Sequence, residues 1–340
     1  MNVCFFHIAR LLLGLVFVFS GFVKVIDPFG FTLKTEAYLQ AWDMIPLNVG
    51  IGIAILLPAI ELWLGIMLIL GIWKRWVTVG IACMIVGFTI LTAYLAFGTY
   101  VGIHECGCFG DAIIINNEKG FYKNLIILLF ALYCVYCAWK EQKVNKILYP
   151  KLVAVYFLLL VVVIPICSLI FLPPFDFLDY NRGTNLRENS AFHVYNAEYK
   201  EVTESILDTT SLPLFIVVKN EELTVEETKN LEPLMEMDQE GKIGLVMMGD
   251  YEIPSPGKFY INSVTAKSLI RAKSGVVLLQ EGVIRGKWKL TGLTTFYLKN
   301  NKDIEEIIKD QSGIVFQFWL LLFFAVIIGL FLTMPWCWNK

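Results

Sequence analysis

Six apolar runs, each about twenty residues long, dictate what this chain can become: 4–24, 49–73, 76–98, 121–139, 151–172 and 314–334. A helix needs roughly 20 mostly apolar residues to cross a bilayer. No water inside the hydrocarbon satisfies a backbone amide, so each run is expected as a helix whose hydrogen bonds close within itself. The first run is similar to a signal peptide, but it is too long and lacks a small-residue cleavage site, so it reads as a membrane anchor. Composition agrees: the chain is 57% hydrophobic and 17% charged, with a mean hydropathy of +0.64. Soluble domains lie nearer 45–50% and about 25%. Lipid is therefore the first partner. A formal charge of −2 argues against nucleic acid as another.

The charges are not spread evenly, since residues 174–313 hold 38 of the 58 acidic and basic side chains. A soluble domain is thus expected between the fifth and sixth spans. Basic residues in short loops mark the cytoplasmic side. Lys74 and Arg75 lie between the second and third spans, and Lys140, Lys143, Lys146 and Lys151 between the fourth and fifth. Both termini, with Lys340, are then cytoplasmic. Residues 25–48, the loop around residues 104–111 and the 174–313 domain fall outside. Trp42, Trp73, Trp76, Trp139, Trp319, Trp336 and Trp338 all sit near the expected interfaces. In a bacterium this describes an inner-membrane protein with a periplasmic domain, on the side where disulfides persist.

Within the outer domain the periodicity changes. "LPLFIVV" (212–218) and "KIGLVMM" (242–248) read as strands, with an acidic helix "VEETKNLEPLMEM" (225–237) between them. "VTAKSLIRA" (264–272) reads as a short helix, "GVVLLQEGVIRGKW" (275–288) as two strands about a Glu-Gly turn, and "KDIEEIIKD" (302–310) as a closing helix. Strand, helix, strand, helix, hairpin, helix resembles a thioredoxin-like domain. Two departures matter: "KNEELT" (219–224) stands where a Cys-x-x-Cys would follow the first strand, and no proline precedes the hairpin. With no cysteine, this domain cannot exchange disulfides itself and is expected to bind a protein partner.

Eight cysteines occur in the chain. Cys4 and Cys337 lie at the cytoplasmic ends, and Cys83 in the third span is expected as a small packing hydrophobe. Cys134 and Cys137 share a helix face and read first as packing, second as a redox pair. Cys106 and Cys108, in "HECGCFGD" (104–111), face outward, with Cys167 as a third outward candidate. A bridge between residues i and i+2 closes a small strained ring, and Gly107 lets the backbone comply. Strained, exposed disulfides are the easily reduced ones. His104 can lower a neighbouring thiol pKa, and Glu105 or Asp111 can handle protons. Two other readings stand beside this exchange site: a structural disulfide or re-entrant turn, and a metal site of His104, Cys106 and Cys108 that lacks a fourth ligand.

Glu61, in "PAIELWLG" (58–65), is the one carboxylate deep inside a span. An ionisable group there is expensive and functional by default. It is expected either protonated or paired with a polar group such as Tyr94, as a structural hydrogen bond or as a proton relay beside a quinone. Lys24, at the edge of the first span, is expected to snorkel as an anchor.

"GLVFVFSGFVKVIDPFGF" (14–31), "ELWLGIMLILG" (61–71) and "HECGCFGD" (104–111) together resemble the DoxX-like superfamily, nearest its MauE branch from methylamine utilisation. The resemblance spans about residues 5–140. The full layout, with "DYNRGTNL" (179–186), is similar to a Bacteroidetes type that carries an extra periplasmic domain. It implies a four-helix bundle, residues 1–140, with a fifth span in 141–173, the outer domain in 174–313, and a sixth span with a cytoplasmic tail in 314–340. It also implies assistance in maturing a disulfide-rich periplasmic enzyme, with Cys106 and Cys108 as redox pair and quinone as a candidate cofactor.

The expectation is thus an α-helical polytopic membrane protein with an α/β thioredoxin-like outer domain. Its leading function is thiol–disulfide exchange through Cys106, Cys108, His104 and Glu61. A non-catalytic scaffold with a structural loop and a small-ligand or ion-handling protein centred on Glu61 are the rivals.

Overall fold

A computed structural model describes residues 3–41, 48–98, 105–141, 149–173, 180–208, 212–219, 223–249, 259–290 and 303–333. His104, Trp42, Lys143, Lys146, Trp336, Cys337, Trp338 and Lys340 lie outside the described residues, as does the side chain of Cys4. In chain order the elements are α1 (Val3–Ile26), α2 (Pro28–Ala41), α3 (Asn48–Leu70), α4 (Lys74–Phe97), α5 (Asn117–Lys140) and α6 (Pro150–Phe171). There follow β1 (Val194–Tyr195), α7 (Thr203–Asp208), β2 (Leu214–Lys219), α8 (Val225–Gln239), β3 (Gly244–Gly249), β4 (Phe259–Ile261) and α9 (Ser263–Leu269). β5 (Ser274–Gln280), β6 (Val283–Lys289) and α10 (Ile304–Thr333) complete the set. Six of these helices, α1, α3, α4, α5, α6 and α10, are long and apolar enough to cross a membrane.

The chain divides into two compact units, Met1–Ser168 with Leu320–Lys340, and Leu169–Trp319. In the first, α1 packs along α3 and α4 along α5 around a core that includes Phe6, Phe17, Met67, Leu68, Ile81 and Cys134. Glycine makes the α1–α3 contact possible. A Cβ on Gly21 would lie 2.5 Å from the Leu62 amide nitrogen, and one on Gly65 would lie 2.8 Å from that of Val18. Lipid gives helices no hydrophobic reason to associate, so close backbone approach at small residues supplies the packing. At the far end of the α4–α5 hairpin, Lys74 pairs with Glu141 at 2.6 Å. There Arg75 donates to the carbonyls of Ala138 at 3.3 Å, Trp139 at 3.4 Å and Glu141 at 3.0 Å. An arginine on α4 thereby caps the open carbonyls of α5. The Trp63 indole donates to the Ala154 carbonyl at 2.8 Å and fastens α6 to α3.

Residues between the first two spans, expected only as an outer loop, form α2. Its first residues are Pro28 and Phe29, and proline suits the first helical turn.

The second unit holds a six-stranded sheet in the order β1-β4-β3-β2-β5-β6. β2 pairs parallel with β3 and antiparallel with β5, and β5 pairs antiparallel with β6. Alternation along β2 sends Leu214, Ile216 and Val218 to one core and Phe215 and Val217 to the other. Both faces are covered, which is why these strands read as unbroken apolar runs. Glu281 and Gly282 turn the β5–β6 hairpin with φ of 54° and 78°, the doubly positive geometry that matches strand twist. Thr224 caps α8, exchanging hydrogen bonds with Glu227 in a capping box. The strands and helices expected at 212–218, 225–237, 242–248, 264–272 and 275–288 all appear, displaced by a few residues. β1, β4 and α7 were not expected; elements of two, three and six residues carry no readable periodicity. The closing helix and the sixth span, expected as separate elements, are one continuous α10.

The Gly21 contact yields a prediction. Gly21→Ala forces α1 and α3 apart and is expected to destabilise the detergent-solubilised protein by about 1–3 kcal/mol, read as a lowered thermal midpoint. Gly52→Ala, where a Cβ meets nothing within 4 Å, is expected to leave it unchanged or raise it.

Candidate functional site

Lys24 does not snorkel. Its ammonium lies 2.6 Å from a Glu61 carboxylate oxygen, with both side chains at most 3% exposed. The expectation of an edge anchor is corrected here: the glycine seam brings α1 against α3 at this level, and Glu61 answers the charge from 37 residues away. Glu61 is thus paired with a lysine. The Lys24 ammonium also lies 5.4 Å from the Phe31 ring centroid and 5.3 Å from that of Phe88, so aromatic faces complete its surroundings.

The cysteine loop, residues 105–116, joins α4 to α5 and folds over this pair. It begins as a ladder, with the Cys106 amide donating to the Ile115 carbonyl at 3.0 Å. Gly107 and Gly110 turn it, at φ of 61° and 56°. A Cβ at Gly107 would also clash with the Tyr38 hydroxyl. α2 holds the loop from one side. The Lys34 ammonium reaches Asp111 at 2.8 Å, Glu105 at 3.1 Å and the Gly110 carbonyl at 3.0 Å, and the Tyr38 hydroxyl donates to the Glu105 carbonyl at 3.3 Å. Burial disfavours the charge on Lys34, but the two carboxylates outweigh it and raise its pKa. From α1, Ser20 donates to the Cys108 carbonyl at 2.7 Å. From α5, Gly120 leaves room for Cys106, whose sulfur would lie 3.0 Å from any Cβ there.

Cys106 is buried and Cys108 half-buried, and neither is bridged. The Cys106 thiol donates to the Cys108 sulfur. That hydrogen bond, helped by Lys123 and Lys24 and opposed by burial, pulls the Cys108 pKa down to about 6. The same hydrogen bond, then burial, pushes Cys106 up. Behind the two sulfurs lies a cavity of about 250 Å³, lined by Cys106, Cys108, Lys24, Glu61, Lys123 and apolar side chains that include Phe17, Phe31, Phe88 and Phe109.

Two of the four expected site residues, Cys106 and Cys108, therefore share one cavity with a third, Glu61; the fourth, His104, lies outside the described residues. Glu105 and Asp111, expected to handle protons, are engaged with Lys34. Cys83 is exposed on its span, not packed in a core, because α4 turns that face outward. Cys134 and Cys137 are fully buried in the helical core, as packing residues are. Cys167 is half-buried on α6. Among the described residues no group of three or more His, Cys, Asp and Glu is placed to hold a metal ion. The pairing of Lys24 with Glu61, and Lys34, Tyr38, Ser20 and Lys123 as site residues, were missed by sequence reasoning. One signal was available: Ser20 with Lys24, and Lys34 with Tyr38, repeat at a spacing of four, one helix face.

Six membrane-length helices with a dithiol loop closing an intramembrane cavity define a multi-pass membrane protein. Residues 3–137 match the family model described as methylamine utilisation protein MauE. That segment covers α1 to α5 almost entirely, and so contains every described site residue. Neither the curated proteins nor the solved structures returned a match.

A lone charge left in this site is costly. Lys24→Met or Glu61→Leu is each expected to destabilise the protein by about 3–5 kcal/mol, whereas the double substitution recovers most of the loss. Thermal midpoints of the four proteins in one detergent complete the cycle.

Proposed function

We propose that this chain is a thiol–disulfide exchange factor of the bacterial inner membrane, serving the maturation of extracytoplasmic proteins, with Cys106 and Cys108 as the exchanging pair. The observation that carries this reading is the pair's position: two unbridged cysteines in hydrogen-bond contact, on a glycine-turned loop, at the mouth of a cavity with an internal ion pair. A structural staple needs no cavity behind it. The MauE match over residues 3–137 supports a role in methylamine utilisation. Placement in the wider DoxX-like group, and in its Bacteroidetes type, belongs to the same proposal.

In exchange, the thiolate attacks a sulfur of the client disulfide, forming a mixed disulfide and expelling the other client sulfur as a thiolate. The second cysteine, losing its proton, then attacks the first, closes the Cys106–Cys108 bridge and releases the client dithiol. Run backwards, the same steps oxidise a client. His104 and Glu61 are the proposed proton-handling groups.

The residues around the cavity fit a quinone: aromatic faces for a ring, and the Lys24 and Lys123 ammonium groups as donors to a carbonyl oxygen. Bound there, a quinone supplies a two-electron acceptor for the dithiol. The outer unit serves as a cysteine-free thioredoxin-like domain that binds the client. Its parallel β2–β3 pair beside the β5–β6 hairpin supports that fold. The basic ends of α4 and α5 support cytoplasmic termini, with the cysteine loop and the 174–313 domain periplasmic.

Maleimide trapping in intact cells, before and after reduction, tests the reading. Cys106 and Cys108 are expected to divide between reduced and bridged forms, and Cys106→Ser or Cys108→Ser is expected to abolish client maturation. A pair found wholly bridged or wholly free under both oxidising and reducing growth leaves the scaffold reading in possession.

A further inference from the structure

Three sides of the cavity behind the sulfurs are closed. Between α1 and α3 the glycine seam sets Gly21 against Leu62. Between α4 and α5 the Asn124 amide donates to the Thr92 hydroxyl at 3.3 Å, and the Asn117 amide to the Leu95 carbonyl at 3.4 Å. Between α1 and α5 the Phe19 and Phe109 ring centroids lie 5.6 Å apart, and the Lys123 ammonium sits 4.3 Å from the Phe109 centroid. The fourth side is different. α3 and α4 run antiparallel, and near the turn that joins them a Cβ on Gly80 would lie 3.5 Å from Leu64, an ordinary packing contact. Seven residues make about two helical turns, roughly 10 Å, and return to the same face. That step toward the cysteine loop brings Gly87 level with Leu57. Among the described residues a Cβ on Gly87 would meet nothing within 4 Å. Gly87 and Leu57 both line the cavity, with Ile53 and Leu91 beside them, and Gly87 is also exposed on the outside of the bundle. The two helices thus part beyond Leu64, and the cavity opens sideways through the gap. Leu56 and Ile60 on α3, and Val86 and Ile90 on α4, make the surrounding surface apolar and exposed, as a lipid-facing surface is.

We propose that the cavity is loaded from within the bilayer, through a slot between Leu57 of α3 and Gly87 of α4, by a tailed quinone whose ring reaches the dithiol while its apolar tail lies in the slot. This rests on the quinone reading above and adds the route of entry and the need for a tail. The cavity is built in two parts. Its polar groups are Lys24 with its partner Glu61, Lys123 and the two sulfurs, whereas Ile53, Leu57, Gly87 and Leu91 make the slot side apolar. A ligand that suits both parts has a polar head and an apolar tail. The volume of about 250 Å³ falls below the roughly 300–1,000 Å³ of sites that enclose a whole ligand, so the head is inside and the chain runs out into lipid. Glycine at position 87 keeps the slot open, since any larger side chain there stands in the gap.

The full chain, reduced and held in nanodiscs of dioleoyl phosphatidylcholine, reads the route when decaprenyl ubiquinone or the same ring without a tail is added. Oxidation is followed by mass spectrometry of the alkylated Cys106–Cys108 peptide. In that step the bond between the two sulfurs forms, two electrons pass to the ring, and the two thiol protons end on its carbonyl oxygens as quinol. Gly87→Phe fills the slot and is expected to lower the ratio of tailed to tail-free rates by about tenfold. Gly52→Phe, at an exposed position away from the cavity where a Cβ also meets nothing, is expected to keep the wild-type ratio. Thermal midpoints report that both variants are folded. A ratio that stays put in folded Gly87→Phe overturns the route. A ubiquinone with a diazirine on its first isoprene unit reads the tail without turnover, and its crosslinks are expected within 53–57 and 87–91. Oxidation with crosslinks elsewhere sinks the slot alone, and crosslinks at the slot without oxidation sink the quinone's role as electron acceptor alone.

Discussion

An ammonium and a carboxylate 2.6 Å apart, inside a bundle of lipid-facing helices, set the terms for the rest of the first unit. Neither charge tolerates the hydrocarbon alone, and together they need α1 and α3 held close and in register. The glycines provide the approach. Without Gly21 and Gly65 the two backbones stand further apart and the pair opens. Ser20, one turn before Lys24, is then placed to hold the Cys108 carbonyl. A single electrostatic demand thus reaches from the helix seam to the thiol loop.

Around that pair the site is an arrangement of balanced charges in a medium that punishes imbalance. Lys24 is answered by Glu61 and Lys34 by two loop carboxylates. Lys123 lies over the Phe109 ring at the edge of the same cavity. The apolar walls strengthen every charge interaction inside.

How much of this could be read from residues alone follows from the range of each interaction. Runs of apolar residues are local, so six spans were legible, as were the strands of the outer unit with their long apolar stretches and Glu-Gly turn. Gly107 and the cysteine pair were legible because glycine and cysteine advertise backbone and chemistry directly. Lys24 was misread because its partner is 37 positions away, on another helix. α2 was missed because its apolar and polar residues, "PFGFTLKTEAYLQA", follow no clean period. Cys83 was misjudged because a span uniformly apolar around its circumference does not reveal which face meets lipid.

The capping of α5 by Arg75 has a consequence at a distance. A 24-residue helix runs about 36 Å, and the α4–α5 hairpin is clamped at one end by an arginine on three carbonyls and at the other by the thiol loop. Two rods pinned at both ends cannot slide past each other. The pair of helices therefore behaves as a ruler: the height of the sulfurs above the cavity floor is set partly by a guanidinium at the opposite end of the hairpin.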